Sequence, residues 1–189
     1  MFCEKLICAG FGGQGIMSLG QTLAYSAMME KKEVTWLPSY GPEMRGGTAY
    51  CCVMISDRPV GSPLITDDAT TGIIMNAPSL VKFEQSLVSG GILLLNSSLI
   101  EQQPERDDIH IFPIDSVGEA EKCGNRRMAN MIMLGAYIEL TSMVSEPSVL
   151  KAFRKVFGSK AVGLNEICKA AIQRGRDIVH EHSPLPAAV

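Results

Sequence analysis

Nothing in this sequence supplies an obvious reactive group of its own. Its three histidines, His110, His180 and His182, stand in no Ser/His/Asp order and in no H-E-x-x-H pattern, and no paired carboxylates stand out. That argues against a self-contained triad hydrolase or zinc hydrolase. The six cysteines, Cys3, Cys8, Cys51, Cys52, Cys123 and Cys168, include no C-x-x-C pair. An iron–sulfur cluster needs four convergent thiolates, usually at short spacings, so none is expected in this chain. Cys51 and Cys52, being adjacent, point to opposite faces of a strand and are poorly placed to chelate one metal. The cysteines read instead as reduced, mostly buried small hydrophobes of a cytoplasmic protein. No apolar run reaches membrane-spanning length: residues 6–29 are free of charge, but glycines and polar residues interrupt them. The same glycines follow Lys5 and its short apolar run too closely for a secretory leader, so none is expected. A net charge of −3 without clustered Lys and Arg argues against a nucleic-acid surface.

What is present is a globular composition, 46% hydrophobic and 20% charged over 189 residues, enough for one domain with a sizeable core. Residues 5–9 predict a short buried strand. A turn Gly10-Phe11-Gly12-Gly13-Gln14-Gly15 follows, then a helix over about 15–30 with the apolar stripe Ile16, Leu19, Leu23 and Ala27. Lys31 and Lys32 close that helix as its dipole favours, and residues 33–37 predict a second strand. The opening thus reads as a βαβ unit. Further strands are predicted over 48–55, 71–75, 92–95 and 109–114, with a helix over 78–88. Their apolar runs suit a mostly parallel sheet covered on both faces. From Met128 onward the chain turns helical, with a stripe of Met128, Met131, Ile132, Gly135 and Ile138, a helix over 147–157 with a basic face, and a last helix over 164–179. The tail 183–189 is expected to fray.

Three segments could meet a ligand. Gly10, Gly12 and Gly15 satisfy G-x-G-x-x-G between a strand and a helix, where glycines admit a close backbone approach and the helix N-terminus offers free N–H groups to an anion. A dinucleotide site also wants an acid at the end of the second strand. Here that strand ends Trp36-Leu37-Pro38-Ser39, with Glu33 at the wrong end. Packing alone would explain the glycines but not Gln14, an amide that a turn does not require. The second segment, Ser39 to Gly47, lies at the carboxyl edge of the sheet. Glu43 and Arg45 share a side there, and Arg45 can clamp a phosphate or carboxylate; a solvated ion pair is the plainer alternative. The third, Gly124 to Asn130, sets Arg126 and Arg127 against the dipole at a helix start, which an acidic ligand or partner would offset as well as solvent would. Asn130 in its first turn can donate to a ligand.

Taken together, these segments resemble the gamma subunit of 2-oxoacid:ferredoxin oxidoreductases. The resemblance rests on residues 10–15, on Tyr40-Gly41-Pro42-Glu43-Met44-Arg45-Gly46-Gly47-Thr48-Ala49, on residues 55–63, on Asn130 with Leu134-Gly135-Ala136, and on Asn165, Ala170 and Gly175. It implies a single domain over 1–189, a three-layer α/β/α fold of Rossmann-like type with a mostly parallel, mixed sheet and a helical C-terminal part. It implies no cofactor in this chain. Thiamine diphosphate, magnesium and iron–sulfur clusters would sit in alpha, beta and, where present, delta subunits. The complex would decarboxylate a 2-oxoacid, pass the acyl group to coenzyme A as co-substrate, and pass electrons to ferredoxin or flavodoxin. Residues 40–49 are most similar to the 2-oxoglutarate branch, with the branched-chain 2-oxoacid branch next. Gly12, Gly13, Gln14, Gly15, Tyr40, Glu43, Arg45, Gly46, Gly47 and Asn130 would then touch coenzyme A or neighbouring subunits. The alternatives are a standalone nicotinamide-dependent oxidoreductase and a non-enzymatic anion-binding module. With eleven methionines to supply apolar surface, the isolated chain is also a candidate homodimer.

Overall fold

The computed structural model describes residues 2–40 and 47–181, apart from the side chain of Lys160. The tail 183–189 lies outside the described residues. Six strands form one sheet: β1 (Cys3–Phe11), β2 (Glu33–Tyr40), β3 (Thr48–Ser56), β4 (Ala69–Ile74), β5 (Leu87–Asn96) and β6 (His110–Ile114), in the order β2-β3-β1-β4-β5-β6. β1, β4, β5 and β6 pair in parallel, and β3 runs antiparallel between β1 and β2. So the expected βαβ opening is not a pair of neighbours, because β3 separates β1 from β2. The seven residues joining β2 to β3 are too few for a parallel crossover, which takes a dozen or more, and that short link fixes β3 as antiparallel. β2 is an edge strand and so tolerates Pro38.

Alternation along the strands divides the core in two. Leu6, Cys8, Cys51 and Val53 belong to the larger cluster, which packs under α1 (Ile16–Met29), α4 (Ala129–Thr141), α5 (Glu146–Phe157) and α6 (Asn165–Glu181). Ile7, Ala9 and Cys52 belong to a smaller one on the opposite face, under α2 (Ala77–Phe83) and connecting segments that contribute Ile65, Ile100 and Ile109. Cys51 and Cys52 therefore do face opposite ways. The helix expected over 78–88 is shorter than its pattern suggested. It ends at Phe83, a 3-10 turn follows, and β5 begins at Leu87 and contains Gly90 and Gly91. The buried Glu84 carboxylate accepts the Arg106 N–H at 2.7 Å there, which anchors the break. His110, within the apolar strand expected over 109–114, is exposed at the start of β6. α4 has no apolar stripe, since every residue from Ala129 to Ile138 is buried. Among the described residues Met54, Met75, Met128, Met131 and Met133 are in the core, while Met28 and Met29 at the end of α1 are exposed.

α1 and α5 are joined through one carboxylate. Glu30, just past α1, accepts from the Ser145 N–H at 2.8 Å and the Ser145 hydroxyl at 2.7 Å, at the start of α5. Burial alone would raise its pKa, but these bonds, with Ser148 and Lys32, outweigh burial and hold it near 2 against an ordinary 4.5. Because the folded value is the lower one, the stabilisation is complete above about pH 4.5 and is lost as pH falls toward 2. The side chain is 23% exposed. With that screening, Glu30→Gln is expected to cost about 2 kcal/mol at pH 7 and nothing near pH 2. Urea unfolding of the two proteins across that range measures the difference.

Candidate functional site

The glycine turn sits at the carboxyl end of β1, beside the end of β4. Chain leaving β1 enters α1 over the larger core, and chain leaving β4 enters α2 over the smaller one. That reversal makes the β1/β4 crevice a topological switch point, where open α/β sheets place ligands. Gly13 and Gly15 adopt φ values of 99° and 76°, a region that favours glycine. Gly15 is the residue preceding α1 and offers no side-chain cap, and the first turn of α1 carries no acid. The first N–H groups of α1 are therefore left for another acceptor.

Two amides hold this turn from inside. Gln14 accepts the Phe11 N–H at 2.6 Å through Oε1 and donates to the Met75 carbonyl at 3.1 Å through Nε2. It lies against Gly10, where an added Cβ would come within 2.5 Å of Gln14 Oε1. Asn130, buried in α4, donates through Nδ2 to the Gly15 carbonyl at 3.1 Å and to Ser18 Oγ at 3.3 Å. The Gly15 carbonyl also accepts from Ser18 Oγ and from the Leu19 N–H, each at 2.9 Å. Both amides are thus engaged with the fold itself. Gly12 donates to the Gly47 carbonyl at 3.1 Å, which sets the start of β3 beside the turn. Glu43, Arg45 and Gly46 lie outside the described residues.

The turn separates two openings. One, about 290 Å³, lies along Gly12, Gly13, Ile16, Met17 and Ser18 and is bordered by Tyr40, which is 68% exposed. The other, about 210 Å³, runs between Gly13, Gln14 and Met75 on one wall and Arg126 and Arg127 on the other. The arginines sit on a 3-10 turn, Arg126–Met128, rather than in the helix proper; α4 begins after it. Asn125 caps that turn by accepting the Arg127 N–H at 3.0 Å. Arg126 pairs with Glu121 at 3.5 Å, whereas Arg127 is exposed and makes no ion pair among the described residues. Sequence reasoning missed the polar row beneath the crevice: Asn96 donates to the Met75 carbonyl at 3.2 Å and accepts from Ser116 at 2.8 Å. An asparagine ending an apolar strand was the available signal. Among the described residues, no three of His, Cys, Asp or Glu converge as metal ligands. Of the buried thiols, Cys8, Cys51 and Cys168 lie in the larger core cluster and Cys52 in the other. No helix of the described residues is long and apolar enough to cross a membrane.

The family model described as pyruvate ferredoxin/flavodoxin oxidoreductase matches residues 5–178. The chain belongs to that family. Among curated relatives, ketoisovalerate oxidoreductase subunit VorA of Methanothermobacter thermautotrophicus is 38% identical over 153 residues, covering 80% of this chain and 31% of the relative. The chain therefore spans about a third of the length of that relative. 2-Oxoglutarate synthase subunit KorC of Methanocaldococcus jannaschii is 31% identical over 182 residues, covering 94% of this chain and 95% of KorC. The fold of the family is shared too. The gamma subunit of a keto/oxoacid ferredoxin oxidoreductase from Geobacter sulfurreducens superposes with a TM-score of 0.80 at 26% identity, covering 95% of this chain and 99% of that one.

Proposed function

We propose that this chain is the gamma subunit of a multisubunit 2-oxoglutarate:ferredoxin oxidoreductase of the cytoplasm. The complex oxidatively decarboxylates the 2-oxoacid, transfers the acyl group to coenzyme A and passes electrons to ferredoxin or flavodoxin. The observation that carries the reading is the end-to-end match to a KorC subunit, at 94% and 95% coverage. A second reading, a branched-chain 2-oxoacid as substrate, is favoured by the higher identity to VorA. In either case thiamine diphosphate, magnesium and iron–sulfur clusters are expected in alpha, beta and, where present, delta subunits.

This chain's own part is to receive coenzyme A. Its phosphates need backbone N–H groups and unpaired cations at a shaped crevice, and the glycine turn with Arg127 brings these together. Tyr40 and Gly47 border the same edge, and Glu43, Arg45 and Gly46 belong in this proposal with the residues that touch coenzyme A or a neighbouring subunit. Arg127→Ala in the assembled complex is expected to raise KM for coenzyme A tenfold or more, as about 1.5–3 kcal/mol for a charge-assisted bond implies, and to leave KM for the 2-oxoacid unchanged. Steady-state kinetics with 2-oxoglutarate, 2-oxoisovalerate and pyruvate test both halves. An unaltered coenzyme A KM removes the crevice from the coenzyme A path, and preference for another 2-oxoacid removes the 2-oxoglutarate assignment.

A further inference from the structure

Asn130 joins two segments that are far apart in sequence: the glycine turn, whose Gly13 and Gln14 form one wall of the smaller opening, and the arginine turn, which forms the other. Its amide reaches the Gly15 carbonyl and Ser18 Oγ at the start of α1, 115 and 112 residues away. Its own backbone lies in the first turn of α4, directly after Arg126–Met128. The residue is 3% exposed, so it is in no position to be a broad contact surface. The Gly15 carbonyl it grips belongs to a residue at φ 76°, and an added Cβ there would come within 2.4 Å of Asn130 Nδ2. The amide thus packs flush on the turn and leaves it little room to rotate. If the amide is removed, the left-handed Gly15 keeps the bonds from Ser18 and Leu19, which come from its own helix. What is lost is the pair of side-chain hydrogen bonds by which Asn130 ties the turn and the start of α1 to the arginine wall.

We propose that Asn130 is a positioning residue: it holds the glycine turn and the Arg126–Arg127 turn in register, so that the N–H groups of one and the guanidinium of the other meet the same anionic group. The inference rests on the reading that this crevice receives the phosphates of coenzyme A. It differs from that reading in assigning Asn130 no contact with the ligand.

A double-mutant cycle in the assembled complex tests it, with Arg127→Ala, Asn130→Ala and the pair, reading KM for coenzyme A and for the 2-oxoacid. Each single variant is expected to raise the coenzyme A KM about tenfold with the 2-oxoacid KM unchanged, and the pair about tenfold rather than a hundredfold, because a displaced Arg127 has little left to lose. Asn130→Leu keeps the branched side-chain shape without the amide and is expected to behave as Asn130→Ala does, which preserves the test if the smaller residue impairs folding. A coenzyme A KM raised by Arg127→Ala but not by either Asn130 variant overturns the positioning role and leaves the site standing. Multiplying effects also overturn it, because they mean Asn130 acts independently of Arg127. A coenzyme A KM untouched by every variant overturns the underlying reading as well.

Discussion

Gly175→Ala is expected to destabilise the chain by about 3 kcal/mol or more, a large fraction of the roughly 5–15 kcal/mol by which a domain of this kind is stable. α4 and α6 cross at two glycines. A Cβ on Gly175 would fall 2.0 Å from the Ile132 carbonyl oxygen, and one on Gly135 would fall 2.1 Å from the Ile172 carbonyl oxygen. Both obstacles are backbone, so no side-chain rotation relieves them, and the helices must separate. Separation would uncover residues such as Ile132, Ala171 and Ile172, which are fully buried. Gly135→Ala is expected to match it from the other side. Urea unfolding reads both; a cost below about 1 kcal/mol for either would mean the helices are not in such close contact.

Gly15→Ala carries the second large effect, on the site rather than the core. A left-handed conformation costs an alanine about 1–2 kcal/mol. The new methyl also meets Asn130 Nδ2 at 2.4 Å and must displace it, so the bonds to Gly15 and Ser18 go as well. The expected sum is about 2–4 kcal/mol of stability, together with a ten- to hundredfold rise in coenzyme A KM. Gly13→Ala is the internal comparison. Its φ is 99°, yet a Cβ there would find no atom within 4 Å, so only the backbone cost applies, about 1–2 kcal/mol. Equal losses for the two would show that backbone strain alone governs the turn and that Asn130 contributes nothing to it.

The strands were legible because each is an apolar run bounded by glycine, proline or charge. Their directions were less so: Thr48–Ser56 has the composition of either a parallel or an antiparallel strand, and the decisive signal was the short link before it rather than the strand itself. The overlong reading of 78–88 has a similar source. Leu87 and Val88 continue a helical pattern locally, and what stops the helix is an acceptor role for Glu84 toward Arg106, 22 residues on. At the candidate site, the glycine turn and the arginine turn were visible as motifs, but their relation was not. Gln14 and Asn130 were read as groups free to meet a ligand. Their partners are the Met75 and Gly15 carbonyls, and a backbone acceptor 61 or 115 residues away leaves no mark in residue identity. Long-range hydrogen bonds to main chain are set by the packing of α4 and β4 around the turn, which periodicity alone does not describe.

The central claim, that this chain works as the gamma subunit of a 2-oxoacid oxidoreductase complex, is tested most directly by affinity purification of the tagged chain from its native cell extract under anaerobic conditions. The account predicts a brown, thiamine-containing complex that reduces a low-potential acceptor only when 2-oxoglutarate and coenzyme A are both present. Recovery of this chain alone, or of a complex whose 2-oxoacid oxidation proceeds unchanged when this chain is stripped away, would contradict it.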